Sequence, residues 1–402
     1  MTRTIIIKTL QGLEPVLAAE LAALGATDIL PLKRAVSCSA DQRLMYRCNY
    51  ELRTAMRVLV PLRSFRATNE QAYYRAVRDT DWSKYMDVSD TLAVEAVVAG
   101  DYFKHSQYAA LLTKDAIVDQ FRDRYDRRPS VNVEAPTLRI HTRINGAECT
   151  LLLDASGDSL HKRGYRRDVV EAPLSEVLAA GMILLTGWKG DTPLVDPMCG
   201  SGTIPIEAAM IAMNIPAQYK RPSFGFFKWK GFNKKLWEEV KTEADARIRQ
   251  PEFPILAFDK DVRARNATAI NLMSAGLEHI VQVEKMPFEK LVPPEMPGLL
   301  LTNPPYDERI KVEEIEAFYK SIGDRLKQNW AGWTAWLISS NIEAWKSFGL
   351  RPSRKIPLPN GPLECFFQKF DLYEGKKYAL QPDSPIEQPL VPDAQVGEPE
   401  AE

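Results

Sequence analysis

The chain of 402 residues is too long for one ordinary domain, so we expect two or three. A hydrophobic fraction of 45% is typical of a soluble globular protein, and no apolar run is long enough for a transmembrane helix. Five cysteines without a CxxC pair, and an N-terminus without a cleavage site, argue against a secreted disulfide scaffold and a zinc domain. We expect a cytoplasmic protein with reduced thiols, no metal and no membrane contact.

The net charge of −1 is unevenly distributed along the chain. Residues 381–402 hold six acids, five prolines and no base, so the remainder is net positive. A proline-rich acidic segment with few apolar residues cannot bury enough surface to fold, and we expect a disordered tail there. The positive remainder is compatible with a nucleic-acid partner.

The first half of the chain predicts a mixture of strands and helices. Strands are predicted at 4–9, 35–40, 57–65, 91–98, 138–145 and 148–154, and helices at 15–24, after the capping residue Asp41, at 69–77 and at 106–125. The last two strands flank Gly146 as a hairpin. This order indicates an α+β module with a partly antiparallel sheet.

From residue 173 onward, helices and short apolar strands alternate regularly. Strands are predicted at 193–196, 255–258, 281–284, 298–301 and 334–339, with helices at 174–186, 202–213 and 262–275. This alternation predicts a parallel, doubly wound sheet covered on both faces. The junction between the two halves lies near 155–172.

The first candidate motif is a turn with two glycines between a strand and a helix. It consists of Asp196, Pro197, Met198, Cys199, Gly200, Ser201, Gly202 and Thr203. Glycine lets the backbone approach a ligand closely, and a helix N-terminus offers free N–H groups. The third glycine of dinucleotide folds and the Lys-Ser/Thr pair of a P-loop are missing. We favour binding of a nucleoside-like cofactor over a tight βα turn that binds nothing.

An acidic pair follows the next predicted strand. A carboxylate at Asp259 can accept hydrogen bonds from both hydroxyls of a ribose, as the acid after the second strand does in dinucleotide folds. The alternative is that the pair only caps the following helix. We favour Asp259 for the ribose and Asp261 for the cap, and both are candidate cofactor residues.

The second motif is Asn303-Pro304-Pro305-Tyr306, about a hundred residues after the first. The amide oxygen of Asn303 and the carbonyl of Pro304 can accept hydrogen bonds from an exocyclic amine. Two prolines fix the backbone, and Tyr306 offers a flat face on which a ring can stack. Alone, the motif is compatible with a simple turn. After the glycine turn and the acidic strand end, it resembles the class I methyltransferases that use S-adenosylmethionine to methylate amino groups of planar systems.

Two basic segments have alternative interpretations. Residues 216–235 hold six bases, six aromatic residues and no acid, and residues 161–167 hold four bases. Bases neutralise phosphates and aromatic rings stack on unpaired nucleobases, so both segments are candidate RNA contacts. For 216–235 an alternative of equal weight is a surface insertion whose aromatic residues pack onto the sheet while its lysines are solvated.

Segments along almost the whole chain resemble one family. They are residues 156–168, 172–182, 196–209, 302–309 and 360–372. Together they resemble the THUMP-containing RNA methyltransferases, in particular the bacterial large-subunit ribosomal RNA guanine-N2 methyltransferases of the RlmL/YpsC-like group. The last of these segments resembles the closing β-hairpin of that group.

The resemblance implies a division of the chain and a set of site residues. The implied parts are a ferredoxin-like region at 1–55, a THUMP RNA-binding domain at 45–155, a basic linker at 156–172, a class I methyltransferase domain at 173–380 and the acidic tail at 381–402. Asp196, Gly200 and Gly202 would line the S-adenosylmethionine site. Asp259 would hold the ribose, and residues 303–306 would hold the guanine amine.

The implied reaction is methylation of guanine N2 in 23S rRNA. The alternatives are a tRNA guanine-N2 methyltransferase, an adenine-N6 nucleic-acid methyltransferase and a non-catalytic ribosome assembly factor that binds RNA. One segment departs from the family, which often places an acid near residues 285–288 to bind adenine N6. Pro287 cannot do this, so the candidates are Glu284, Glu289 or backbone groups. The sequence predicts no oligomeric state.

Overall fold

The computed structural model describes residues 2–169, 173–305 and 312–374. Its strands are β1 (Arg3–Lys8), β2 (Thr27–Leu32), β3 (Ala35–Ala40), β4 (Arg57–Arg66), β5 (Thr91–Ala99), β6 (Ser130–Val131), β7 (Leu138–Asn145), β8 (Glu148–Asp154), β9 (Leu194–Asp196), β10 (Ile255–Asp259), β11 (Val281–Lys285), β12 (Leu299–Thr302), β13 (Thr334–Ser339), β14 (Arg354–Pro357) and β15 (Phe366–Asp371). Its helices are α1 (Glu14–Ala23), α2 (Gln42–Glu51), α3 (Glu70–Arg78), α4 (Ser106–Tyr125), α5 (Glu176–Thr186), α6 (Thr203–Ala212), α7 (Lys234–Asp245), α8 (Val262–Ala275), α9 (Val312–Asn329) and α10 (Ile342–Ser347). Within the described ranges, no helix is both long enough and apolar enough to cross a membrane.

The N-terminal half is built on one eight-stranded sheet with the order β2-β3-β1-β4-β8-β7-β5-β6. Most neighbouring strands are antiparallel, and β5 is parallel to both β7 and β6. This confirms the predicted α+β module with a partly antiparallel sheet. The sheet runs without interruption through both predicted N-terminal domains, and the boundary between those domains stays a prediction.

The C-terminal half is built on a seven-stranded sheet with the order β11-β10-β9-β12-β13-β15-β14. Strands β9 to β13 are parallel to one another, and β15 runs antiparallel to both β13 and β14. Alternate residues of β12 face opposite sides, because Leu299 and Leu301 pack with helices α5 and α6 whereas Leu300 packs with α9 and α10. The predicted doubly wound, mostly parallel sheet is confirmed.

Several elements have the bounds that the sequence predicts, and others were missed. Helix α4 and strands β3, β7, β8 and β13 agree at both ends. Strand β2 was missed because Pro31 interrupts its pattern; the strand tolerates this proline at the edge of the sheet. The five cysteines are free, as predicted. The predicted tail at 381–402 lies outside the described residues.

Five of the six aromatic residues of segment 216–235 pack against the N-terminal half, and Tyr219 is exposed. Phe226 is fully buried, and its ring stacks on Tyr46 of α2 with 4.5 Å between centroids. Lys228 donates a hydrogen bond to the carbonyl of Pro136 at 2.8 Å, and Lys230 donates to the carbonyl of Ser83 at 2.9 Å. The packing alternative therefore accounts for the aromatic residues, and these two lysines join the halves instead of only solvating the insertion.

Two of the four bases of the junction are also directed inward. The Arg163 side chain is 1% exposed, donates to the carbonyl of Leu160 at 2.8 Å and pairs with Glu207 of α6 at 3.4 Å. Tyr165 donates to the same Glu207 carboxylate at 3.0 Å. A buried charge is tolerated only when it is paired and hydrogen-bonded, so this group fixes the path of the junction. Arg166 is likewise held by protein groups.

Replacing Phe226 by alanine tests the aromatic contact between the halves. We expect Phe226→Ala to lower the free energy of unfolding by about 3–5 kcal/mol, because the cavity opens in a fully packed ring cluster. Urea unfolding followed by tryptophan fluorescence measures the change. The control is Tyr219→Ala at a position that is 40% exposed, where a loss below about 1 kcal/mol is expected. Equal losses for the two variants would contradict this role for Phe226.

Candidate cofactor and substrate site

The three predicted site segments meet at one edge of the C-terminal sheet. Strand β9 lies between β10 and β12 and is parallel to both, so their carboxyl ends are side by side. The chain crosses to β10 on one side of β9 and to β12 on the other. Ligands of open α/β sheets bind in the crevice at such a switch point.

The glycine turn after β9 is held in a left-handed conformation. Gly200 has φ +58° and Gly202 has φ +83°, values that side chains disfavour. Gly202 is the N-cap residue of α6, and a Cβ there would lie 2.7 Å from the Thr268 side chain. The Cys199 N–H donates to the Phe258 carbonyl at 2.9 Å, which ties the turn to β10.

The first residue of the motif, Asp196, is buried and bound to the protein. Its Oδ1 accepts hydrogen bonds from the Thr302 hydroxyl at 2.8 Å and from the Met198 N–H at 3.2 Å. Burial raises the pKa of Asp196 to about 7, although both hydrogen bonds oppose the change. Asp196 thus connects the ends of β9 and β12. Thr302 was not predicted, and its position directly before Asn303 is the only signal for it in the sequence.

The two acids after β10 have different environments. Asp259 Oδ2 accepts a hydrogen bond from the Gly200 N–H at 3.0 Å, and its Oδ1 accepts one from the Asp261 N–H at 2.9 Å. Burial raises the pKa of Asp259. Asp261 is exposed and caps α8 through the Arg263 N–H at 2.8 Å, which confirms the predicted cap. Asp259 is therefore the acid that faces the glycine turn.

The second motif begins where β12 ends. The Oδ1 atom of Asn303 is buried and has no hydrogen-bond partner among the described residues. Pro304 is buried and Pro305 is exposed. Tyr306, predicted to stack on the target ring, lies outside the described residues. Asn303 thus presents an unused acceptor beside the strand that carries the glycine turn.

Further residues that the sequence did not predict hold the glycine turn from outside. The Thr268 hydroxyl donates to the Gly200 carbonyl at 2.9 Å, and Asn271 donates to the Ser201 carbonyl at 2.9 Å. Arg166 donates to the Ser201 hydroxyl at 3.2 Å. Sequence signals for these contacts are weak, because helix α8 and the junction reach the turn only in the folded chain.

The arrangement fits a ligand that contains a nucleoside. Gly202 at the N-cap carries no side chain, and the N–H groups of Thr203 and Ile204 in the first turn of α6 are of the kind that bind anionic or polar ligand groups. The carboxylate of Asp259 stands beside this turn and has lone pairs left to accept ribose hydroxyls. Burial raises the pKa of the Cys199 thiol, so this residue is a neutral thiol near pH 7 and not a nucleophile.

Comparison with known families gives an independent result. Residues 163–369 match the RMKL-like methyltransferase domain, residues 4–59 the RlmL ferredoxin-like domain and residues 67–154 the THUMP domain. A Synechocystis protein, provisionally named as RNA methyltransferase slr0064, is 39% identical over 92% of this chain and 97% of its own length. The chain belongs to the RMKL-like methyltransferase family.

Two further relatives of this methyltransferase are informative. The Syntrophotalea carbinolica ribosomal RNA large subunit methyltransferase K/L is 39% identical over 94% of this chain. The chain spans 55% of that protein and about half the length of the curated K/L relatives that it matches. The crystal structure of SMU.472 complexed with SAH is similar, with TM-score 0.84, 28% identity, and coverage of 93% of this chain and 99% of that one.

Membership of the family confirms several predictions. The ferredoxin-like, THUMP and class I methyltransferase folds are present in this order. S-adenosylmethionine is confirmed as the cofactor class, and the SAH bound by SMU.472 is the product that this cofactor leaves. The roles of single site residues stay predictions.

The buried carboxyl of Asp196 predicts a pH dependence. Its pKa is about 7 in the folded methyltransferase and about 3.9 in an unfolded chain. The stability that it contributes is therefore fully present below about pH 4 and is lost as the pH rises through about 7. Asn keeps the acceptor for Thr302 without a charge. We expect the free energy of unfolding of Asp196→Asn, relative to that of the wild type, to increase by about 1–3 kcal/mol as the pH rises from 5 to 8.

Urea unfolding at both pH values measures this difference, with Asp28→Asn at an exposed position as the matched control. A difference between Asp196→Asn and the wild type that does not change with pH would show that the carboxylate is not buried as a charge.

Proposed function

We propose that this methyltransferase transfers a methyl group from S-adenosylmethionine to the exocyclic N2 of a guanine in 23S rRNA. The observation that carries the proposal is the buried Oδ1 of Asn303, which has no hydrogen-bond partner within the described parts of the chain. A buried amide oxygen without a donor costs about 1–3 kcal/mol, and the cost is removed when a ligand supplies an N–H. An exocyclic amine of a nucleobase is such a donor.

The neighbouring residues support an amine that is positioned and not chemically activated. Pro304 and Pro305 restrict the backbone and carry no N–H that would compete for an acceptor. The carbonyl of Pro304 is proposed as the second acceptor, and Tyr306 as the face on which the guanine stacks. Two acceptors in a fixed frame direct the nitrogen lone pair away from both N–H bonds, toward the glycine turn.

The cofactor is proposed to bind along the turn and Asp259. N–H groups at the start of α6 and the backbone of Gly200 and Gly202 would line it, and the Asp259 carboxylate would accept the ribose hydroxyls. When bound, S-adenosylmethionine supplies a methyl group on a sulfonium, and its transfer to the amine leaves S-adenosylhomocysteine and releases one proton. The residues of the chain contribute alignment and a fixed electrostatic environment.

The RNA substrate is supported by the family matches and by a relative's name. The THUMP match at 67–154 supports an RNA-binding role for the N-terminal half, and the K/L relative is named for large-subunit ribosomal RNA. Guanine N2 follows from the family resemblance of the sequence. The target base must be unpaired or flipped out of a helix, because its amine has to reach the edge of the sheet. The domain limits at 1–55, 45–155, 156–172 and 173–380 belong to the same proposal.

The proposal predicts that Asn303 is needed for methyl transfer but not for binding. We expect Asn303→Ala to lower kcat about 30- to 1,000-fold, because a contact worth about 2–4 kcal/mol in the transition state is lost. Affinity for S-adenosylhomocysteine and for rRNA should change little. Transfer of labelled methyl groups to unmodified 23S rRNA, followed by nucleoside analysis, measures the effect.

Asn266→Ala, at an exposed position of α8, is the matched control and should retain full activity. Near-normal formation of N2-methylguanosine by Asn303→Ala would refute the role of Asn303. If the wild-type reaction places the label in N6-methyladenosine, the role of Asn303 would stand, and adenine N6 would replace guanine N2 as the proposed target. If, in a parallel reaction, unmodified tRNA takes up the label and 23S rRNA does not, tRNA would replace 23S rRNA as the proposed substrate.

The two acids after β10 should separate cofactor binding from helix capping. We expect Asp259→Ala to weaken binding of S-adenosylhomocysteine by about 1–3 kcal/mol, because the ribose hydroxyls lose their acceptor. Asp261→Ala should leave that affinity unchanged and lower stability by about 1 kcal/mol through loss of the cap. Calorimetric titration and thermal unfolding measure the two effects. Equal weakening by both substitutions would contradict the ribose assignment.

A further inference from the structure

We propose that Arg166 is a positioning residue that holds the glycine turn in the shape that binds the cofactor. Its guanidinium donates to the Ser201 hydroxyl at 3.2 Å and to the Thr203 hydroxyl at 3.0 Å. The same group pairs with Glu176 at 2.8 Å and donates to the Leu174 carbonyl at 3.0 Å. The inference rests on the proposed binding of the cofactor along this turn.

The contacts require the chemistry of arginine. The side chain is 18% exposed and that of Glu176 is 6% exposed, so the charge pair is largely shielded from water. A guanidinium presents five donors in a rigid plane and reaches four acceptors at once. Lysine has the same charge but no planar fork, and it cannot bridge the turn and the start of α5 in this way.

The end of the glycine turn benefits from such a support because the start of α6 has no side-chain cap. Two residues with positive φ leave the backbone free to adopt other conformations, and the N-cap residue Gly202 makes no side-chain cap. Arg166 holds the hydroxyls on both sides of Gly202. A support that orders the turn before the ligand arrives lowers the cost of binding and does not change the chemical step.

Asn271 secures the junction to the same turn from the other side. Its Oδ1 accepts hydrogen bonds from the N–H groups of Arg167 at 2.7 Å and Asp168 at 3.0 Å, while its Nδ2 donates to the Ser201 carbonyl at 2.9 Å. The backbone that follows Arg166 is thus fixed relative to Ser201. The guanidinium consequently has little freedom to leave the turn.

Replacing Arg166 by alanine tests the inference in the full-length protein. We expect Arg166→Ala to bind S-adenosylhomocysteine about tenfold more weakly, because two charge-assisted hydrogen bonds to the turn are lost. The KM for S-adenosylmethionine should rise by a similar factor while kcat stays within about twofold. Millimolar guanidinium chloride should restore part of the affinity. Arg167→Ala is the matched control, because that side chain is exposed and contacts Ser274 instead of the turn.

The outcomes separate this inference from the proposed function. If Arg166→Ala binds S-adenosylhomocysteine as tightly as Arg167→Ala does, while Asp259→Ala binds it more weakly, only the role of Arg166 would be overturned. Unchanged affinity in both Arg166→Ala and Asp259→Ala would overturn the proposed cofactor site itself. A second pair of results would also overturn the positioning role. One is that Arg166→Ala lowers kcat and leaves the KM for S-adenosylmethionine unchanged. The other is that thermal stability drops and guanidinium does not restore the affinity, which would make Arg166 a structural residue only.

Discussion

The hydrogen bond from the Thr302 hydroxyl to the buried carboxylate of Asp196 joins the ends of β9 and β12, and the site depends on this join. Asp196 starts the glycine turn, and Thr302 directly precedes Asn303. The bond continues the pairing of β9 with β12 to their carboxyl ends and helps to fix the separation between the proposed cofactor side and the proposed substrate side. Both partners are buried, so water does not compete for it. A reaction that depends on alignment needs this kind of fixed distance more than it needs an acid or a base.

Contacts of the junction and of segment 216–235 connect the site to the rest of the protein. Arg163 pairs with Glu207 inside the protein, Arg166 grips the glycine turn, and Phe226 stacks on a ring of α2. Several basic and aromatic residues that suggest RNA contacts in the sequence are thus used for contacts within the chain. An RNA held by the N-terminal half would meet the site at a set distance, because the two halves share these buried contacts.

Much of the fold is predictable because its elements follow local rules. The hairpin β7–β8 and helix α4 were predicted with their observed bounds, since alternation, a glycine turn and helical periodicity act over a few residues. Strand β2 was missed because Pro31 breaks its local strand pattern, and the strand is stabilised by its pairing with β3, which the local pattern does not show. Helix α7 was missed although Asn233 caps it and its buried residues Trp237, Val240 and Ala244 have helical spacing. Only the folded chain shows that this face packs on α2, about two hundred residues earlier.

The sequence alone determined the family, the cofactor class and the order of the three site segments, because each depends on short motifs of neighbouring residues at strand ends. The tertiary structure decided which side chains meet: Asp261 caps a helix while Asp259 faces Gly200, and Asn303 Oδ1 is buried with no partner in the ranges that the structure describes. It also decided that Arg166 reaches Ser201 and Thr203 from the junction. Such contacts depend on distances through space between residues far apart in the chain, which folding alone establishes.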